Sequence, residues 1–314
     1  MKVMTKERGK WIIAIVLWLG LSACNGRSEA PNSKKPRVVS TSTIIADLTD
    51  RIGGDEIEMN GLLKPGADPH IYEPVPLDSV ALESADLILY NGYNLEPGII
   101  KLMRSAGVKA KKVPVGEVVK PLDFNKHGQI VPDPHVWGDA QNGVKMVQTI
   151  RDELIQLSPE DKTLFTKNAE KLTGDLQRLD TWIKKSIQTI PADNRRLVTT
   201  HDAFQYYANA YGLKVTGTLI GISTEEQPSA QTIKTLADGI KSAGVPAIFA
   251  ETTINPALIT TVAQEAGVKL APEQLYSDSI GASGSEGDSY IKMLESNTKT
   301  IVEALGGKVT PDNK

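Results

Sequence analysis

Sulfur, aromatic rings and surplus charge are all scarce in this chain. A single cysteine occurs among 314 residues, so no internal disulfide can form. A site built from several thiolates, the kind that selects copper(I), is out of reach for the same reason. Aromatic residues make up 5%, too few for the stacking platforms that bind bases or sugars. The formal net charge of −3 provides no basic footprint, which argues against a nucleic-acid partner. The sequence has no HExxH helix motif, no nucleophile elbow and no EF-hand loop, which removes the common signatures of zinc proteases, serine hydrolases and calcium sensors. Histidine is rare too, with only four copies, so the context of each is informative. What is plentiful is apolar: 40% of residues, enough to fill real cores in two lobes or one large one.

The amino-terminal segment does not read as part of the fold. Lys2, Lys6, Arg8 and Lys10 precede an apolar run over residues 11–20. That run is shorter than the ~20 residues of a membrane span but suits the apolar centre of a secretory leader. It ends in Leu21-Ser22-Ala23-Cys24, which resembles a bacterial lipobox. The resemblance implies that residues 1–23 are a lipoprotein signal peptide and that Cys24 is acylated as the mature first residue. The plainer alternative is a signal peptide whose small-residue cleavage site merely precedes a cysteine. Residues 24–35 are small and polar without periodicity and read as a flexible tether.

Beyond the tether, β-branched runs alternate with helical patterns. Strands are expected over 37–41, 56–63 and 86–90, with helical stretches over 44–52 and 77–85 between them. This alternation is the signature of βαβ units and a parallel sheet. It pauses between about 141 and 190. There Phe165, Ala169, Leu172, Leu176, Leu179, Ile183 and Ile187 recur every three or four positions, as on one face of a helix. Ser158 as N-cap, Pro159 at the first helical position and Pro191 beyond the end bound a helix over 158–190, about 45 Å long. The alternation then resumes, with strands over 196–200, 213–219 and 245–250 and helices over 231–243 and 256–266. The expected architecture is α/β: an amino-terminal lobe over 36–157, one long linking helix over 158–190, and a carboxy-terminal lobe over 191–314. A single doubly wound sheet with a long crossover is the alternative.

The histidines fall into telling places. His70 and His135 each close an Asp-Pro-His tripeptide, Asp68-Pro69-His70 and Asp133-Pro134-His135. Proline fixes its own φ and biases the preceding residue toward extended backbone, so each imidazole is presented from a stiff turn. Asp68 and Asp133 are candidates to cap the turn or to orient the ring through its second nitrogen, as carboxylates do behind metal-ligating histidines. His201 directly follows the strand over 196–200, where ligands bind in parallel sheets. Glu251, at the end of another strand, is a further candidate acceptor, with a solvent-facing charge as its alternative. Asp278 follows an apolar stretch and precedes glycine-rich sequence, and alone it reads as a turn residue. His127 reads as a solvent residue.

Four ordered segments, residues 66–74, 133–137, 200–204 and 276–280, resemble the zinc/manganese-type metal-binding lipoproteins, the solute-binding subunits of transition-metal ABC importers. The similarity runs from the first strand to the segment over 286–290. It implies two α/β lobes bridged by a long helix. It also implies a cleft holding one metal ion through His70 and His135 from the first lobe and His201 and Asp278 from the second. Cys24 would anchor the receptor in membrane lipid, outside the cytoplasm, where as a monomer it would hand the ion to an ABC importer permease.

Three imidazoles and one carboxylate suit Zn²⁺ or Mn²⁺ as a transported ligand, one per chain. The cargo stays open between the two. Some manganese-type members carry Glu where this chain has His201, while many zinc-type members carry a His-rich loop where residues 121–131 here hold only His127. A zinc-dependent hydrolase and a surface adhesin with a structural metal site are the competing functions. The first would need an open metal position, which Asp278 fills, and the second leaves the cleft motifs unexplained.

Overall fold

The computed structural model describes residues 35–105, 107–126 and 128–311. The leader, Cys24, nearly all of the tether and His127 lie outside the described residues, and so do the roles expected of them. Among the described residues no helix is long and apolar enough to cross a membrane.

The first half builds one parallel sheet. In chain order it runs β1 (Arg37–Ser40), α1 (Thr43–Gly53), β2 (Glu58–Gly61), α2 (Pro76–Ser84), β3 (Leu87–Tyr90), α3 (Pro97–Ser105) and β4 (Lys111–Pro114). The strands pair in the order β2-β1-β3-β4, all parallel, with Val39 opposite both Asn60 and Ile88. The start of α1 is fixed by Ser42, whose hydroxyl accepts the Ile45 N–H at 3.2 Å. Its apolar face, Ile44, Ile45, Leu48 and Ile52, is fully buried. The helix stops at Gly54, whose φ of +51° favours a residue without Cβ. At α2, Pro76 takes the first turn and the Asp78 carboxylate accepts the Val75 N–H at 2.8 Å.

An antiparallel hairpin, β5 (Asp123–Lys126) with β6 (Gln129–Pro132), follows and delivers the chain to the second Asp-Pro-His turn. Where the sequence pattern pauses, the structure holds two helices rather than one: α4 (Ala140–Leu157) and α5 (Lys162–Gln188). The long helix therefore begins later than expected. Pro159–Asp161 form a separate 3₁₀ turn, because the Ser158 hydroxyl donates to the Asp161 carboxylate at 2.6 Å instead of capping backbone. At 27 residues α5 is about 40 Å long. It buries Phe165, Leu172, Leu176, Leu179, Ile183 and Ile187 along one stripe, each such side chain contributing roughly 1.5–3 kcal/mol of transfer free energy.

The second half repeats the plan: β7 (Arg196–Thr199), α6 (Gln205–Tyr211), β8 (Lys214–Thr218), α7 (Ala230–Ala243), β9 (Ala247–Ile248), α8 (Ala257–Ala266), β10 (Lys269–Leu270) and α9 (Tyr290–Ala304). The β7–β8 and β9–β10 pairs are parallel, and the Phe249 N–H donates to the Val198 carbonyl at 2.9 Å to join them. The order β8-β7-β9-β10 thus mirrors β2-β1-β3-β4. The regular part of β9 is shorter than the apolar run over 245–250, although the chain continues alongside β10's neighbourhood through the parallel bridge between Glu251 and Leu275. The main hydrophobic core spans both halves, gathering α1, α4, α5, α6 and α9. Smaller clusters fill the spaces beneath α2 and α3 and beneath α7 and α8. The long helix is accordingly packed along one stripe against α1, α4 and α9, and is not a bare connector.

Candidate metal centre

Each of the four candidate ligands lies in a segment that follows a strand, or the bridge that extends one. His70 lies in the loop after β2, His135 after β6, His201 two residues after β7, and Asp278 three residues after the Glu251–Leu275 bridge. For His70, His201 and Asp278 this is where parallel sheets leave room for ligands, because the helices cover the faces and the loops gather at the strand ends, while His135 is delivered by the antiparallel hairpin.

The four side chains converge. His70 Nε2 and His135 Nε2 are 3.2 Å apart. Asp278 Oδ1 is 3.4 Å from His135 Nε2, while Oδ2 is 3.2 Å from His201 Nε2 and 3.9 Å from His70 Nε2. The ring centroids form a near-regular triangle of 5.3, 5.3 and 5.8 Å. All four candidate ligand atoms lie within 4.8 Å of one another. For metal–ligand bonds of about 2.0–2.1 Å a tetrahedron has edges of roughly 3.3 Å, so the spacing fits a small dication.

Among the described residues the inward-pointing atoms meet only one another: His70 and His135 Nε2 face each other, and Asp278 stands at ion-pair distance from the rings. His201 Nε2 and both oxygens of Asp278 are buried and make no hydrogen bond. A buried carboxylate without hydrogen bonds is costly, and a bound cation reduces that cost.

The supports differ from ligand to ligand. Asp133 Oδ1 accepts both the backbone N–H of His135, at 3.0 Å, and its ring Nδ1–H, at 2.8 Å. The same turn is held from outside by the Asn91 amide, which donates to the Pro134 carbonyl at 3.0 Å. The Tyr206 hydroxyl donates to the Asp133 carbonyl at 2.9 Å. Glu251 treats His201 in the same way, accepting its backbone N–H at 2.8 Å and facing Nδ1 at 2.5 Å. Glu251 is fully buried, so the solvent-facing alternative does not apply. Asp68 differs. Its Oδ1 accepts only the His70 backbone N–H, at 2.9 Å, and its Oδ2 accepts the Thr224 hydroxyl at 2.6 Å. Among the described residues no carboxylate reaches Nδ1 of His70.

The loop carrying Asp278 is stitched down by residues that the sequence reading did not single out. Asn297 on α9 clamps Tyr276, accepting its N–H at 2.8 Å and donating to its carbonyl at 2.7 Å. Trp137 Nε1 donates to the Ser277 carbonyl at 2.9 Å, and the Gly66 N–H donates to Ser279 Oγ at 2.8 Å. An asparagine at a buried position of an amphipathic helix was the available signal, since a polar group there needs a partner.

Burial and charge set the protonation states. Burial pushes His70 down to about 3, against the pull of Asp278, so its ring is neutral and ready to donate a lone pair. Burial opposes a proton on His201 as well, but the Glu251 and Asp278 carboxylates outweigh it and hold that imidazole well above its ordinary value. Burial would raise Asp278, yet the three facing imidazoles hold it below the usual carboxylate range.

Beside the cage lies a cavity of about 560 Å³. Of the four ligands only His70 lines it, together with Tyr93, Pro134 and, from the opposite half, Ile222, Ser223 and Glu225.

Comparison with known proteins gives a consistent picture. Residues 38–304 match the family described as zinc-uptake complex component A, periplasmic. The metal ABC transporter substrate-binding lipoprotein FimA of Streptococcus parasanguinis is 35% identical over 309 residues, covering 96% of this chain and 99% of the relative. The manganese ABC transporter substrate-binding lipoprotein PsaA of Streptococcus pneumoniae is 35% identical over 312 residues, with coverage of 96% and 99%. Among solved structures, the periplasmic zinc-binding protein TroA of Treponema pallidum superposes with a TM-score of 0.82 at 34% identity, over 87% of this chain and 99% of that one.

Proposed function

The chain belongs to the family of periplasmic zinc-uptake component A proteins, and from that premise we propose that it is the solute-binding lipoprotein of a metal importer. It captures one divalent transition metal, zinc or manganese, outside the cytoplasm and delivers it to an ABC permease. His70, His135, His201 and Asp278 are the ligands, and Asp133 and Glu251 orient two of the rings. The observation that carries this reading is the convergence of four buried donor groups within 4.8 Å of one another, with His201 Nε2 and both Asp278 oxygens making no hydrogen bond.

The donor set explains capture. Three neutral imidazoles and one carboxylate leave a net charge of +1 around a dication, and borderline nitrogen and oxygen donors suit zinc and manganese alike. Asp278 has both oxygens available, so it can bind through one or through two. With four protein donors the cage closes around its cargo, whereas a catalytic zinc keeps a position for water. Binding without chemistry is the role that follows, and the protein acts as a monomeric receptor and not as a hydrolase.

The secretory leader, the lipobox-like segment and the lipoprotein names of relatives support anchoring through Cys24. An anchored receptor remains close to its permease while its folded body explores the space above it.

Elemental analysis of protein isolated from its native envelope, combined with competition between zinc and manganese, tests the reading. One equivalent of either metal per chain is expected, lost when His201 is replaced by Ala. Stoichiometric binding that survives that substitution overturns the assignment.

A further inference from the structure

Two Asp-Pro-His turns feed this cage, and they are wired differently. Asp133 applies one oxygen to both the backbone and the ring of its histidine. Asp68 holds only the backbone of His70 with one oxygen and gives the other to Thr224, 156 residues away in the opposite lobe. Thr224 belongs to the loop over 219–229, between β8 and α7, which is fastened to its own lobe where the Asp202 N–H donates to the Gly221 carbonyl at 3.2 Å.

That loop touches the first lobe a second time. Glu226 Oε1 lies 3.6 Å from Lys126 Nζ at the end of the β5 strand. Ile222, Ser223 and Glu225 of the same loop form one wall of the cavity that His70 lines. His70 is thus the ligand with the least support at its ring and the only one of the four adjoining that space, and its turn is tied to the opposite lobe through the Asp68 side chain, whereas that of His135 is tied there through the Asp133 backbone carbonyl.

We propose that Asp68 and Thr224 form a latch that joins the position of the His70 turn to closure of the 219–229 loop, and so sets the rate at which the captured ion leaves. This rests on the metal-receptor reading above. While the latch is made, the Asp68 carboxylate is held from both sides, the His70 backbone is fixed, and the loop walls off the cavity. When the loop swings away, Asp68 loses the Thr224 donor and the turn carrying His70 loosens. The cavity opens beside the ligand that is then least constrained. A permease that draws the loop aside would thereby unlock the ion without having to compete for it ligand by ligand. Both residues are positioning residues, since neither faces the ion.

The test uses the full chain loaded with Zn²⁺ and chased with excess chelator, read by stopped flow, alongside the association rate. Thr224→Val keeps the shape but removes the hydroxyl, and Thr224→Ala removes it without adding a methyl. Loss of one hydrogen bond to a charged acceptor is expected to speed release by about tenfold in both, with association nearly unchanged. Thr224→Ser keeps the donor and should restore slow release, which a merely space-filling role would not predict. Unchanged release in Val and Ala, or release from Ser as fast as from Val, overturns the latch. If the unaltered chain fails to take up one equivalent of zinc, the receptor reading has failed instead, and the two failures are distinguishable.

Discussion

Glu251 grips His201 at two points, the backbone N–H and the ring Nδ1, from a strand end fifty residues away in sequence. The double contact fixes both where the imidazole starts and which nitrogen it offers. A buried carboxylate behind a ligating ring also makes that ring a better donor.

Glu251→Gln is therefore expected to keep the fold and weaken zinc binding by about 10- to 100-fold. A chelator-competition titration measures this. Affinity equal to that of the unaltered protein would show that Glu251 merely fills space.

Asp278→Asn removes the only charged ligand while preserving shape. Its loss should exceed that of a supporting residue, at roughly 100-fold or more in affinity. The metal-free variant should also lose some thermal stability at neutral pH, because the three imidazoles that hold the Asp278 carboxylate below its usual range then face a neutral amide. Calorimetry of metal-free and loaded forms checks both signs.

Proton release accompanies capture. In the metal-free protein Glu251 and Asp278 keep His201 protonated at neutral pH in spite of burial, and a ligating imidazole must be neutral. Binding at pH 7 should release about one proton and should strengthen as pH rises toward the raised value of His201. His70, already neutral down to about 3, adds no dependence in this range. In the metal-free state the sign reverses: the charged pair with Glu251 is fully present below the unfolded value of ~6.5 and is lost as pH rises through the folded one. Titration calorimetry in two buffers of different ionisation enthalpy counts the proton.

Glu96 provides a separate pH signal, away from the cage. It is fully buried, and burial pushes it up to about 7 even though Thr41 and the Asn91 N–H donate to it. A raised carboxyl stabilises the fold below its unfolded value near 4.5, and that contribution disappears as pH climbs through 7. On the order of 3 kcal/mol is at stake between pH 5 and 8. Glu96→Gln should flatten the fall in denaturant midpoint over that interval, and an unaltered slope would remove Glu96 as its cause.

Much of this is legible in the sequence itself. The α5 stripe could be read because seven apolar residues keep helical period across a long polar stretch. The candidate histidines stand out because histidines are rare and two of them share a tripeptide, whereas Asp278 joins them only through the resemblance to the metal-binding lipoproteins. What could not be read has physical reasons. α4 is hidden only at its start, where buried Asn142 and Gly143 blur the first turn, since Val144, Val147, Ile150 and Leu154 keep helical spacing. The Asp68–Thr224 contact could not be read either, because sequence shows that a carboxylate is near a histidine and not which partner takes its second oxygen. Asn297 looked like an ordinary helix residue until the loop it clamps came into place.

The four proposed ligands are separated by 65, 66 and 77 positions along the chain. No contiguous peptide of ordinary length holds more than one of them, so a nascent, nicked or unfolded chain has no chelating unit. Metal affinity therefore accrues to the native state alone. At a hundredfold excess of free ion over the dissociation constant the cargo adds about 2.7 kcal/mol against unfolding. On the proposed extracytoplasmic placement, where proteases act on whatever opens, the ion in transit doubles as a guard on its carrier, and a starved receptor is the one most readily degraded.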